Sequence, residues 1–401
     1  MRLPLLFILA TVCIDAMGIG LILPVMPDLI REVRGGTLGS AAVWGGVLAT
    51  AFAVMQFGFG PLLGALSDRF GRRPVLLVSL AVMAADYVVM ALAGTIWWLL
   101  AGRIVGGITA ATQGTAAAFI ADISRPEEKA RNFGLIGAAF GLGFVVGPVI
   151  GGLLGAWGTR APFWAAAALA GCNVTLGWLV MPETVTDRIR RPFRWARANP
   201  VGAFRQIGML PGLAPLLWMV FVYGVAFFVY PAVWAYYGQA QFGWGPGMVG
   251  LSLGLYGISI AVVQGLLMGP IVARLGEARA VIWGLWVEIA AFLILFAVTD
   301  GRVALGFILL ASFGSVVMPA LQAILSRTAA DDQQGELQGA LTAINALASI
   351  VAPLLMTQIF FAFTTGPGPT LPGAPFLLSA LLTTGCIALF ALSRRRATVA
   401  F

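Results

Sequence analysis

Apolar runs dominate the chain, and each is close to the length a helix needs to cross the hydrocarbon core of a bilayer, about 20 residues. Bounded by charges and by Pro/Gly breaks, twelve lie near 4–27, 41–65, 74–94, 96–120, 131–155, 161–181, 214–237, 247–271, 279–299, 302–325, 336–361 and 374–393. Of the 401 residues 60% are apolar and 10% charged, where a globular chain carries about 25% charged. Too little polar surface remains to cover such a chain in water. The predicted fold class is all-α and integral to a membrane, with twelve transmembrane helices. The first run extends past the roughly 7–15 apolar residues of a signal peptide and has Asp15 in its middle, so it is predicted to be a retained helix.

Composition closes several catalytic routes. Without histidine, Ser-His and Cys-His pairs and His-ligated zinc are excluded. The sole lysine, Lys129, follows Glu128 rather than a glycine, so there is no phosphate-binding Gly-Lys-Ser/Thr loop. Gly250-Leu-Ser252-Leu-Gly254 spells a hydrolase elbow, but with no histidine to activate the serine it reads as small residues on a packed helix. Cys13, Cys172 and Cys386 lie in separate apolar runs with no metal or redox spacing. The chain is not expected to be an enzyme or to hold a cofactor or metal.

The net charge of +8 reads as topology rather than nucleic-acid binding. With both termini cytoplasmic, nineteen of the 24 Lys and Arg residues fall on inside loops and ends. Arg31, Arg34, Arg160 and Arg302 fall outside, and Arg103 lies within a span. That asymmetry is the positive-inside pattern. The longest polar stretch divides the chain into residues 1–181, a basic linker at 182–213 and residues 214–401. The linker carries Phe193, Trp195 and Phe204 among its arginines and is expected to lie on anionic headgroups.

An internal repeat supports two six-helix bundles. Gly64-Ala-Leu-Ser67-Asp68-Arg69-Phe-Gly71-Arg72-Arg73 reappears 205 residues on as Gly269 to Arg279, and the same shift carries Pro148 onto Pro353. Such parallel repeats place a substrate site between the halves near the midplane. The Gly64–Arg73 run reads as a tight cytoplasmic hairpin with glycine where backbones crowd. Its Asp68 is expected to pair with an arginine or a helix N-terminus, forming a charge cluster able to latch the inside face. In the fifth span Gly143, Gly147, Gly151 and Gly155 recur every four residues, with Gly152 beside them and Gly137 and Gly141 before. One helix face lined this way admits a close neighbour, and Pro148 is expected to bend the span.

Asp15, Asp86 and Glu288 fall near the midplane of spans one, three and nine. Each costs about 2.5–3.5 kcal/mol if charged at a helix centre, so they need a purpose. With no histidine, they are the available proton carriers. Arg103 in span four must pair with an acid or an anionic ligand; one arginine cannot neutralise three acids.

These residues resemble the major facilitator superfamily, and within it the twelve-span drug/proton antiporters. Gly64–Arg73 is similar to the superfamily's loop between spans two and three. Gly141-Leu-Gly143-Phe-Val-Val-Gly147-Pro148-Val-Ile-Gly151-Gly152 is similar to its antiporter motif. More narrowly the chain resembles bacterial tetracycline/proton antiporters through Asp15-Ala-Met-Gly-Ile-Gly, Met55-Gln56, Ser67–Arg73, Asp86-Tyr87, Gly102-Arg103, Ile120-Ala-Asp122 and Pro319-Ala-Leu-Gln322. The resemblance implies export of a drug, as a divalent metal chelate such as that of Mg, across the bacterial inner membrane in exchange for protons, by a monomer. It assigns Asp15, Asp86 and Glu288 to proton coupling, although Glu288 stands where aspartate is usual. Gln56, Arg103 and Gln264 are assigned to substrate or coupling; Asp68, Arg72 and Asp122, with the rest of the loop, to gating. Two other readings stay open: a proton-coupled exporter of another amphiphile, and a receptor or scaffold that has lost transport.

Overall fold

The computed structural model describes residues 3–110, 112–186, 190, 210–330, 333–366, 368 and 370–399. They are almost entirely helical, with no strand among them. A helix satisfies its own backbone amides inside lipid, which is why a chain of such runs folds this way. Among the described residues, twelve helices are long and apolar enough to cross a membrane: α1 Leu3–Ile22, α2 Leu38–Phe70, α3 Arg72–Leu92, α4 Ile96–Ile123, α5 Pro126–Gly155, α6 Ala161–Val180, α7 Ala214–Phe242, α8 Pro246–Leu275, α9 Glu277–Ala297, α10 Gly301–Thr328, α11 Gln334–Thr364 and α12 Ala374–Ser393.

Several boundaries depart from the sequence expectation. α1 stops at Ile22 rather than near 27, and a separate amphipathic helix, Met26–Arg34, follows. Pro24 and Pro27 cannot donate to a continuing ladder. Beside that helix the Thr159 hydroxyl and the Arg160 guanidinium both donate to Glu32 and hold its carboxyl below the usual carboxylate range. The tie is therefore present at neutral pH and is lost only as pH falls through that lowered value. α7 is two helices, Ala214–Phe227 and Val229–Phe242, because Pro231 lacks the amide that would bond the Phe227 carbonyl. α8 carries a π-helical turn at Val263–Leu267, and α10 a 3-10 turn at Phe313–Val316.

The repeat is written into the helix ends. Moved by 205, Arg72–Leu92 becomes Glu277–Ala297, and the second helix of α4, Thr112–Ile123, becomes Val317–Thr328 in α10. The positive-φ glycines Gly71 and Gly276 obey the same shift.

Two compact units are present. The first holds α1, Met26–Arg34, α2 from Ala51, α3–α6 and Gly245–Gly254. The second holds Thr37–Thr50, α7, α8 from Leu255, and α9–α12. The first is cored by Phe7, Ile8, Val12, Leu76, Leu80, Phe119 and Ile120; the second by Leu217, Val281, Leu285, Leu321, Leu341 and Phe390. Most of the polar linker expected at 182–213 lies outside the described residues.

Candidate functional site

All three membrane acids are buried, Asp15 and Asp86 in the first unit and Glu288 in the second. Their surroundings differ, and the difference decides what each can do.

Asp86 on α3 is held by a cation. Arg103 on α4 donates to its Oδ2 at 2.7 Å, and both side chains are largely shielded. Gly102 and Gly106, one turn apart on α4, leave room for the carboxyl: a Cβ on Gly102 would meet Oδ1, and one on Gly106 would lie 2.9 Å from Oδ2. The guanidinium carbon sits 5.3 Å above the Phe52 ring, one helical turn from Gln56, which is exposed. Arg103→Ala would strand Asp86, which in a buried pair costs about 3–5 kcal/mol. The Asp86→Asn/Arg103→Gln double variant is expected to cost less. Thermal midpoints in detergent check this; a single variant as stable as the double would show that the pair contributes nothing.

Asp15 on α1 has no such partner. It is 8% exposed, and its Oδ1 meets no donor among the described residues. Tyr87, next to Asp86 in sequence, packs on the same turn of α1, its hydroxyl 2.6 Å from where a Cβ on Gly18 would sit.

Glu288 on α9 is fully buried in a phenolic setting. The Tyr230 hydroxyl donates to Oε1 at 3.1 Å. Oε2 occupies the place a Gly314 Cβ would take, and the Tyr223 hydroxyl donates to the Gly314 carbonyl at 3.1 Å. The Tyr256 ring lies 5.1 Å from that of Tyr230. Glu288 Oε2, Tyr256 Oη and Ser315 Oγ are all buried with no hydrogen-bond partner among the described residues. Gln264, in the π-helical turn, donates to the Ser315 carbonyl at 3.4 Å, which ties the predicted glutamine to the turn that cradles Glu288. Sequence reasoning missed Tyr223, Tyr230, Tyr256 and Gly314. The available signal was scarcity: of six tyrosines, these three surround Glu288.

The Gly64–Arg73 run makes the expected tight turn between two helices, but the run itself is helix almost throughout. α2 continues to Phe70, Gly71 alone makes the turn with φ +115°, and α3 starts at Arg72. Gly64 has open space around it, so crowding does not explain that glycine. Asp68 pairs with Arg72 at 2.6 Å, and Arg72 reaches Asp122 on α4 at 3.2 Å and the Ser67 hydroxyl at 3.1 Å. Arg73 donates to the Trp178 carbonyl, and Arg69 covers the Phe70 ring.

The glycine ladder of α5 is a helix seam. Gly143, Gly147 and Gly151 face the backbone at Cys13, Met17 and Leu21 of α1, so two four-residue ladders interlock. Gly152 faces Pro246 and Gly250, and Gly250 faces the Pro148 carbonyl. Ser252 of the hydrolase-like run is buried and donates to the Val249 carbonyl. That run is packing surface.

The profile of the Major Facilitator Superfamily matches residues 8–239 and 216–400. Tetracycline resistance protein, class C, of Escherichia coli is 44% identical over 383 residues, 96% of this chain and 95% of that protein. Tetracycline resistance protein, class G, of Vibrio anguillarum is 40% identical over 366 residues, 90% of this chain and 91% of that protein. The crystal structure of the human organic anion transporter MFSD10 has the same fold, with a TM-score of 0.67 at 23% identity over 97% of this chain and 99% of that one.

Proposed function

The chain belongs to the Major Facilitator Superfamily, and from that premise we propose that it exports tetracycline-type drugs in exchange for protons. The drug travels as its divalent metal chelate, so the metal is cargo rather than a resident cofactor. The protein works as a monomer in the bacterial inner membrane, with both termini cytoplasmic, as the arginine asymmetry favours.

The names of the relatives support the drug class, and one structural contrast supports the coupling. Asp86 has a cation in Arg103, whereas Asp15 and Glu288 have none among the described residues. A buried carboxyl without a counter-ion is most easily kept neutral by a proton. Asp15 and Glu288 are therefore the proton carriers, one in each unit. Asp86 with Arg103, beside Phe52 and Gln56, is the polar contact for substrate. Gln264 acts on Glu288 through the Gly314–Ser315 turn. The Asp68–Arg72–Asp122 cluster is the cytoplasmic gating element.

Exchange of a monocationic chelate for one proton moves no net charge, so the pH difference alone drives it. One pH unit is worth about 1.36 kcal/mol, roughly a tenfold drug gradient. Everted vesicles given an imposed pH gradient are expected to accumulate tetracycline only when a divalent metal is present. Uptake that ignores either the gradient or the metal would overturn the corresponding half of the proposal. Uptake of a different amphiphile in place of tetracycline would reassign the cargo.

A further inference from the structure

The gating cluster has a counterpart in the second unit with its charges reversed. Shifted by 205, Arg72 becomes Glu277 and Asp122 becomes Arg327, and those two also pair. Each pair ties the first residue of one helix to the last turn of another: Arg72 of α3 to Asp122 near the end of Thr112–Ile123, and Glu277 of α9 to Arg327 near the end of Val317–Thr328. A helix N-terminus favours an anion and a C-terminus a cation. The second-unit pair satisfies both preferences. The first-unit pair opposes both, with a cation at an N-terminus and an anion at a C-terminus.

Something must offset that opposition, and the described residues offer Glu183. Its Oε1 accepts from the Arg72 amide at 2.9 Å, and its Oε2 from the Arg73 amide at 3.2 Å. The next residue in α3 is Pro74, which has no amide to satisfy, so Glu183 covers the open donors ahead of it. Gly71 has no side chain to serve as a cap, and a Cβ there would collide with the Glu183 carboxyl. Thr184 adds a hydroxyl donor to Asp122 at 3.0 Å. The second unit, whose charges already match its helix ends, has no need of such a carboxylate.

We infer that Glu183 is a positioning residue of the cytoplasmic gating cluster: it supplies the anion that α3 requires at its N-terminus and thereby keeps Arg72 aimed at Asp68 and Asp122. The inference rests on the proposal that this cluster gates transport, and its test separates the two. In the purified full-length chain, Glu183→Ala is expected to speed hydrogen exchange of the Arg72 and Arg73 amides by about tenfold or more, the worth of a charged hydrogen bond. The first-turn amides of α9 stay as they were. In everted vesicles, Vmax for tetracycline falls about tenfold while KM stays within about twofold, because binding is untouched. In an Arg72→Gln background the same substitution lowers Vmax no further, since the cation it positions is gone. Unchanged exchange at Arg72 and Arg73, an unchanged Vmax, or losses that simply add would each overturn the inference. If wild-type vesicles take up no tetracycline, the cargo assignment fails and the exchange measurement alone decides the role of Glu183.

Discussion

Vesicles carrying Glu288→Gln are expected to hold no drug gradient under a pH difference that, on the proposed one-for-one exchange, is expected to sustain roughly a tenfold gradient per unit in the wild type. Glutamine keeps the shape of the side chain, and its carbonyl can still accept from Tyr230, the partner of Oε1. The amount of protein in the membrane is therefore expected to stay at the wild-type level. What disappears is the group proposed to load and release a proton. A second variant reaches the same carboxyl from the other side. Gly314→Ala puts a methyl where Oε2 now lies, and the flexible end of Glu288 yields before the backbone does. Accumulation is expected to fall there too, with the acid still present in the chain. If Glu288→Gln accumulates drug as the wild type does, Glu288 is not a carrier, and Asp15→Asn becomes the variant to test.

Gly151→Val has the largest expected effect on the fold. A Cβ at Gly151 meets the Leu21 carbonyl oxygen, carbon and Cα of α1. These are backbone atoms, so relief requires α1 and α5 to separate along the seam that also holds Gly143 and Gly147. Overpacking of a tight contact costs about 1–3 kcal/mol, a large share of a net stability of about 5–15 kcal/mol. Gly143→Val/Gly151→Val is expected to leave little folded protein in the membrane. Gly141→Val, on the same helix with open space around the glycine, is expected to stay within about 0.5 kcal/mol of wild type. Size-exclusion profiles of the detergent-solubilised variants check the pair; equal behaviour of Gly141→Val and Gly151→Val would refute the seam.

The same glycines show how far a linear reading reaches. The four-residue spacing marks α5 as a packing helix, but Gly137 and Gly141 belong to the same run and meet nothing. Which turns of α5 touch α1 depends on where the two helices lie against each other, which spacing does not encode. Gly64 and Gly71 were legible as one glycine-arginine run; only the backbone separates a helical glycine in open space from the one whose φ of +115° makes the turn.

By itself the sequence determined the twelve spans, the 205-residue repeat, the burial of Asp15, Asp86 and Glu288, and the arginine asymmetry. Each of these follows from hydropathy, length and charge counted along the chain, and the bilayer imposes the same one-dimensional constraint on every segment. The tertiary structure alone decided the partners. Asp86 rather than Asp15 or Glu288 received Arg103; Tyr230, 58 residues away, came to Glu288; and Glu183 reached across 111 residues to the start of α3. A side chain's charge state and hydrogen bonds are set by neighbours within a few ångströms, and packing chooses those neighbours from anywhere along the chain.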